Sequence, residues 1–370
     1  MKLLRFLKFF VRSFSLRGFL RRLLGRGPDA VDFYYKSPAE KQCLEPVFDA
    51  LSKHYPCTWV CRKGYADLGR GTAAVLTTHQ TGVGHIRKWW HGYRKLFYLP
   101  HDLASLRCWQ DENLESCDIL FCATDAHYAA ARERYGETHC VKRIPLPKLD
   151  PVRASGAPTL VTDLPYDCTV LYSPSYTLTG EWKQVIEACV DSDLPVNFIF
   201  KGYPYRRFDV PEDCFEPIDG YPYFRDTQTV GKLSNIDIFH HFSSRETDEI
   251  ERYILERNLP QLRFVERTEN LIRIFPQVHV LVSDASSSLI EFAEYNPNGA
   301  ALETGCRRSK EIRPVVSLLE GSRVEFCPVE KLSLRLAELV PTVSHREPAG
   351  STQFGGQVAA EEIRRSIQQT

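Results

Sequence analysis

The chain has 370 residues, enough for two ordinary domains or one large one. With 43% hydrophobic and 25% charged residues, it has the balance of a globular protein, which excludes general disorder. Its formal charge of zero hides an asymmetry, because Lys2, Arg5, Lys8, Arg12, Arg17, Arg21, Arg22 and Arg26 crowd into residues 1–28 without one acidic partner, leaving 39 basic against 47 acidic residues in the body.

That basic head calls for an anionic partner. Between its charges it is apolar and aromatic, with Phe9, Phe10, Phe14 and Phe19 among several leucines. No uncharged run in it exceeds four residues, whereas a bilayer span needs about 20 apolar residues and a secretory signal about 7 in a row. The pattern predicts an amphipathic helix over residues 1–28 lying in a membrane interface. Arg5, Lys8, Arg12, Arg21 and Arg22 would meet head groups there, with Phe9 and Phe10 in the acyl boundary. Gly25, Gly27 and Pro28 end it. A helix docked on the protein's own body is the alternative. A nucleic-acid partner is not expected, since nothing beyond residue 28 offers a basic, aromatic-laced face.

From residue 29 onward short apolar runs alternate with amphipathic stretches, the signature of βαβ units and a parallel sheet. Ala73–Leu76 reads as a strand, followed by a Gly-containing turn (Thr81-Gly82-Val83-Gly84) and a helix through Trp90. Leu96–Leu99 is the next strand, ending at Pro100-His101-Asp102, and Ile119–Cys122 another, with a helix over Asp125–Tyr135. The stretch from Asp150 to Asp167 is rich in Pro, Ala, Ser and Thr and reads as a linker. A second series follows: strand Thr169–Tyr172, helix Glu181–Val190, strand Val196–Phe200, helix Asp248–Glu256, strand Val278–Val282 and helix Ser286–Glu294. Val358–Gln369 predicts a closing helix. The domains expected are therefore 1–28, 29–155, 156–345 and 346–370, with a ligand cleft between the two α/β halves.

The twelve cysteines are scattered, Cys57 and Cys61 being the nearest pair. They read as reduced thiols of a cytosolic protein, without metal-ligand spacing. No metal or other cofactor is expected.

The most informative segment is the apolar run Val278–Val282 passing through Ser283-Asp284-Ala285-Ser286-Ser287-Ser288 into a helix that carries Glu291. The amides and positive end of such a helix, with the hydroxyls of Ser286 and Ser287, suit phosphate oxygens, and Glu291 lies one turn further, in reach of a ribose hydroxyl. The bland alternative is an ordinary serine N-cap.

Leu281-Val282-Ser283-Asp284-Ala285-Ser286-Ser287 resembles the "(I/V)(S/T)DxSS" signature of the CDP-glycerol glycerophosphotransferase family, the teichoic-acid and capsule polymerases. Three further segments fall in the family's order: Asp118–Gly136, Val170–Tyr176, and Phe198-Ile199-Phe200-Lys201-Gly202-Tyr203-Pro204, the last resembling its "K-x-H-P" segment. The resemblance implies an α/β chain of two Rossmann-like domains facing a central cleft, a GT-B-like fold. It implies a transferase that moves glycerol phosphate, or a related polyol phosphate, from a CDP-linked donor to a hydroxyl of a cell-surface glycan or lipid-linked acceptor; with the basic segment 1–28, the location expected is cytoplasmic, peripheral on the inner face of the plasma membrane.

In that family a histidine at the end of an acceptor-domain strand, usually followed by Gly, is the general base. His101 has the strand context, with Asp102 in place of the glycine; Trp90-His91-Gly92 spells the tripeptide at a helix end, so His91 stays a second choice. Ser173, Ser175, Ser283, Asp284, Ser288 and Lys201 complete the implied nucleotide and phosphate set. Tyr203 stands where the family carries histidine, so phosphate handling there must differ. Two alternatives stay open: a nucleotide-sugar glycosyltransferase on the same fold, and a non-catalytic membrane-docked nucleotide-binding protein.

Overall fold

The structure is a computed structural model. It describes residues 30–35, 38–61, 71–77, 93–101, 103–104, 106–110, 112–154, 160–174, 181–190, 194–202, 215–218, 221–224, 235–284, 286–308, 311–313, 316–319, 321–343 and 354–369. The expected N-terminal helix and the helix through Trp90 lie outside these residues. The chain divides into two compact units, residues 1–154 together with 351–370, and residues 155–350.

The first unit is built on six parallel strands: β1 (Val31–Tyr35), β2 (Cys57–Cys61), β3 (Ala73–Leu76), β4 (Lys95–Tyr98), β5 (Ile119–Cys122) and β6 (Cys140–Arg143), in the spatial order β2-β1-β3-β4-β5-β6. Central strands such as Ala-Ala-Val-Leu and Ile-Leu-Phe-Cys are apolar throughout because a parallel sheet is covered on both faces. Alternate residues go to opposite sides. Tyr34, Ala74, Leu76, Leu96, Tyr98 and Leu120 join one core. Val31, Phe33, Ala73, Val75, Phe97 and Phe121 join the other.

Helix α1 (Pro38–Leu51) packs Leu44, Val47 and Leu51 into that second core, and helix α2 (Asp125–Tyr135) packs Ala131 and Tyr135 into the first. A short helix α3 (Asp150–Ala154) ends the contiguous part of the unit.

The second unit is also a parallel six-stranded sheet, of β7 (Cys168–Tyr172), β8 (Val196–Phe200), β11 (Leu262–Phe264), β12 (Val280–Ser283), β13 (Ala300–Glu303) and β16 (Val324–Phe326), in the order β11-β8-β7-β12-β13-β16. Two antiparallel hairpins accompany it, β9 (Phe215–Ile218) with β10 (Tyr221–Phe224), and β14 (Cys306–Arg308) with β15 (Glu311–Arg313). Helices α4 (Trp182–Val190), α5 (Asn235–Arg257) and α7 (Val329–Leu339) bury Val185, Ile186, Ile250, Ile254, Leu332 and Leu336 in one core, and α6 (Ser287–Tyr295) packs against β12 and β13.

Counted within the unit, the strands run 3-2-1-4-5-6, the classic dinucleotide-fold order, which reverses between its first and fourth strands, β7 and β12.

The last helix, α8 (Gly355–Gln368), returns to the first unit and lies on α1. Its N-terminus is held by Asp150, whose two carboxylate oxygens accept from the N–H groups of Gly355 (2.9 Å) and Gly356 (2.7 Å). The approach is close: a Cβ on Gly355 would lie 2.1 Å from the Pro145 carbonyl oxygen, and one on Gly356 2.6 Å from that of Pro46. Burial raises the Asp150 carboxyl above its usual range despite the two donors.

Among the described residues no helix is long and apolar enough to cross a membrane, and no group of three or more His, Cys, Asp or Glu side chains is placed to hold a metal ion. Seven of the ten described free cysteines, Cys43, Cys108, Cys117, Cys122, Cys168, Cys189 and Cys327, are buried.

Candidate functional site

In doubly wound sheets ligands bind beyond the C-terminal ends of the strands, where the strand order reverses. In the second unit that point lies where β7 runs into Ser173 and β12 into Ser283 and Asp284. All three residues are buried, at 8%, 0% and 6% exposure. They are bound together. The Ser173 N–H donates to the Val282 carbonyl at 3.0 Å, and the Ser283 hydroxyl donates back to the Ser173 carbonyl. Next door, Thr304 gives both its N–H (2.8 Å) and its hydroxyl (3.2 Å) to the Ser283 carbonyl, fixing the end of β13 to the same point.

From here the chain turns into α6. Ser286 is its N-cap: the hydroxyl oxygen accepts from the Ser288 N–H at 3.2 Å and from the Ser288 hydroxyl at 2.9 Å. The capping role weighed from sequence is therefore real, and it shapes the turn. Ser288 and Glu291 are buried, whereas Ser286 and Ser287 stay partly accessible at the start of the helix. A nine-residue helix opening at a switch point presents its positive end there, a placement that suits an anionic group.

Lys201 follows β8 and is only 4% exposed. Its ammonium donates to the carbonyls of Gly202 and Arg267, both at 2.8 Å. Burial, assisted by the neighbouring Arg267 charge and opposed by Glu269 and Glu251, brings its pKa down to about 8. The family resemblance implies a phosphate contact for Lys201. The structure shows it pinning the end of β8 to the turn at Arg267, which is in turn gripped by Glu251, two-pronged at 2.8 and 2.7 Å, and by Asp248, both on α5. Gly202 is required beside it, since a Cβ there would lie 2.3 Å from a methyl carbon of Thr247. Under the switch point, Tyr172 is buried, and burial with the nearby Glu246, Asp284 and Glu181 charges holds its phenol protonated.

Sequence reasoning passed over Glu303, the last residue of β13. It is fully buried, and its two carboxylate oxygens accept from the N–H groups of Val316 (3.0 Å) and Ser317 (2.8 Å), which fixes that turn at the strand end. The available signal was a carboxylate closing an otherwise apolar strand, Ala300-Ala301-Leu302-Glu303.

In the first unit His101 sits three residues beyond β4, partly buried. Its Nδ1 lies 3.2 Å from the Thr77 carbonyl oxygen. A carbonyl can only accept, so Nδ1 carries a proton, and in the neutral ring the lone pair is then on Nε2, the tautomer a general base needs. The same strand ends are joined by the Leu99 N–H to the Leu76 carbonyl at 2.9 Å.

The structure thus gathers Ser173, Ser283, Asp284, Ser286, Ser287 and Ser288 at one switch point, with Lys201 at the adjoining strand end and Glu291 one turn into α6. His101 belongs to the other unit. His91, Asp102, Ser175, Tyr203 and the N-terminal Arg5, Lys8, Phe9, Phe10, Arg12, Arg21 and Arg22 lie outside the described residues.

No family model and no curated protein matches the chain. Solved structures do. The S. aureus MnaA–UDP complex is 8% identical with a TM-score of 0.54, over 92% of this chain and 96% of that one. A variant of the wall teichoic acid polymerase TagF is 11% identical with a TM-score of 0.50, over 98% of each. The UDP-N-acetylglucosamine 2-epimerase from Rickettsia bellii is 12% identical with a TM-score of 0.51, over 92% and 96%. The fold is of the GT-B type. At these identities the likeness concerns the fold, with both Rossmann-like units spanned in each comparison, and chemistry has to be argued from the site.

Proposed function

We propose that this GT-B chain transfers a polyol-phosphate unit from a CDP-linked donor to a hydroxyl of a cell-surface glycan or lipid-linked acceptor. The observation that carries the reading is the Ser283–Ser288 turn at the switch point, a serine-rich helix opening in place of a bare backbone loop. It supports a site in which the α6 amides, with Ser286 and Ser287 at the mouth, hold the diphosphate. The likeness to TagF, a wall teichoic acid polymerase, supports that reading at the level of the fold.

In the proposed reaction the acceptor hydroxyl attacks the β-phosphorus of the donor. A new O–P bond forms, the P–O bond to CMP breaks, and CMP leaves with the electron pair. The acceptor's proton passes to His101 Nε2, which the Nδ1–H bond to Thr77 leaves free to take it. The developing charge on the leaving phosphate is met by the α6 amides and their dipole. Asp284, buried at that helix start, works against anion binding by its own charge and must be offset by these donors. Lys201 contributes indirectly in this scheme, by holding the β8 turn. The basic segment 1–28 is proposed to dock the enzyme on an anionic membrane surface at the cytoplasmic face, close to a lipid-linked acceptor.

A second reading is favoured by the MnaA–UDP complex: a uridine nucleotide-sugar substrate in the same place. Incubating the full chain with CDP-glycerol and a lipid-linked glycan acceptor and following CMP release separates the two. CMP release that disappears in His101→Ala supports the phosphotransferase. Turnover of UDP-sugars alone would replace it with the second reading.

A further inference from the structure

We propose that His127 is the positioning residue for His101, a role that rests on reading His101 as the general base. His127 lies on α2 and is completely buried. Its backbone N–H is fixed by the Thr124 hydroxyl, the helix N-cap, at 3.2 Å. Both ring nitrogens are used. The indole Nε1–H of Trp109 donates to His127 Nδ1 at 3.1 Å. An indole N–H can only donate, so Nδ1 is unprotonated and the proton sits on Nε2. That Nε2–H then donates to the carbonyl of Leu103 at 3.2 Å. The imidazole is neutral, and it holds one bond in each direction.

Both bonds land on the segment that leaves β4. Leu103 is two residues after His101, and Trp109 lies in the short 3-10 helix Leu106–Gln110 that follows. Trp109 meets Tyr98, the last residue of β4, edge to face at 5.7 Å, and His127 itself at 5.8 Å. Cys108, Leu114 and Cys117 complete the apolar surround. The excursion bearing His101 is therefore held from three sides: by β4 where it starts, by Thr77 at the His101 ring, and by His127 at Leu103 and Trp109. An apolar residue at 127 would fill the space, take away the acceptor of the buried Trp109 N–H and remove the imidazole donor to the Leu103 carbonyl. A general base must meet its proton within a fraction of an ångström, so such bracing acts on turnover and leaves donor binding alone.

The test uses the full chain labelled with ¹⁵N-histidine, beside the variants Trp109→Phe, which removes the indole N–H and keeps a ring, and His127→Asn, which keeps an acceptor near Nδ1 and loses the donor to Leu103. In the native protein one histidine should show the neutral Nε2–H tautomer and His101 the Nδ1–H tautomer. In both variants the His101 signals should move toward a mixture. Turnover, measured as CMP release from CDP-glycerol with a lipid-linked glycan acceptor, should fall about tenfold to a hundredfold with an unchanged donor KM. His127 found as imidazolium or as the Nδ1–H tautomer in the native protein overturns the proposal, whether or not the variants fold. So do folded variants with unmoved His101 signals and native turnover. If the His101 signals move while His101→Ala retains full turnover, His127 does position that loop and the reading of His101 as the base is what fails.

Discussion

The Ser283 hydroxyl donates to the carbonyl of Ser173, a residue 110 positions earlier, and so ties the two strand ends at which the order of the second sheet reverses. Both residues are buried. The bond joins the first strand of the unit to the strand that feeds α6, and so fixes where the helix opens relative to the β7 turn. Ser283→Ala removes the donor and leaves a buried carbonyl short of a partner, a loss of about 1–3 kcal/mol. Urea unfolding should show that fall, and nucleotide affinity should fall with it. A variant as stable as the parent would mean that the carbonyl finds another donor.

Lys201 makes a pH prediction. Its folded pKa is about 8 against an ordinary value of 10.5, because burial disfavours the cation. A group depressed in this way supports the fold above its unfolded pKa and loses that support as pH falls through the window down to the folded value. Relative to Lys201→Met, the native chain should thus become less stable from about pH 10.5 to about pH 8 and then level off. The full span is on the order of 3 kcal/mol. Observation of ¹³Cε-labelled lysine should show one resonance with a midpoint near 8; a set titrating entirely above 10 would contradict the burial.

How much of this was legible depended on burial. Strands β3, β5 and β8 and helix α2 match their expected spans residue for residue; the strands do so because one covered on both faces reads as an apolar run between polar turns, broken in β8 only by the buried Asn197. The elements passed over lack that mark. β1 carries the buried Asp32, and β2 and β6 are edge strands, partly exposed and, in β6, charged, as Cys-Val-Lys-Arg. β11 and β16 are three-residue edge strands. The strand expected from Val278 begins at Val280, since Val278 closes the 3-10 helix Leu271–Gln277. Within the site, the serine turn was readable because its parts are adjacent in sequence. His127, Glu303 and the inward grip on Lys201 were not, because each depends on groups 13 to 66 positions away.

The docking of α8 offers a structural prediction. Asp150→Ala leaves the buried N–H groups of Gly355 and Gly356 without acceptors, a cost of about 1–2 kcal/mol. Gly355→Ala drives a methyl group against the Pro145 carbonyl. Both variants should release the last helix, seen as faster hydrogen exchange over Gly355–Gln368 and early proteolytic loss of the C-terminus. Native protection in both would contradict the capping.

For His101, the expected result is a separation of chemistry from binding. His101→Ala should lower turnover about 10²–10⁴-fold while leaving donor affinity intact. Equal losses in both would assign the residue to binding.

Calorimetric titration of the full chain with CDP-glycerol, CDP, UDP and UDP-sugars, beside Ser287→Ala, tests the central claim most directly. The account predicts selective binding of the cytidine nucleotides, weakened by the serine change at the mouth of α6. Binding confined to the uridine nucleotides, or no nucleotide binding at all, would contradict it.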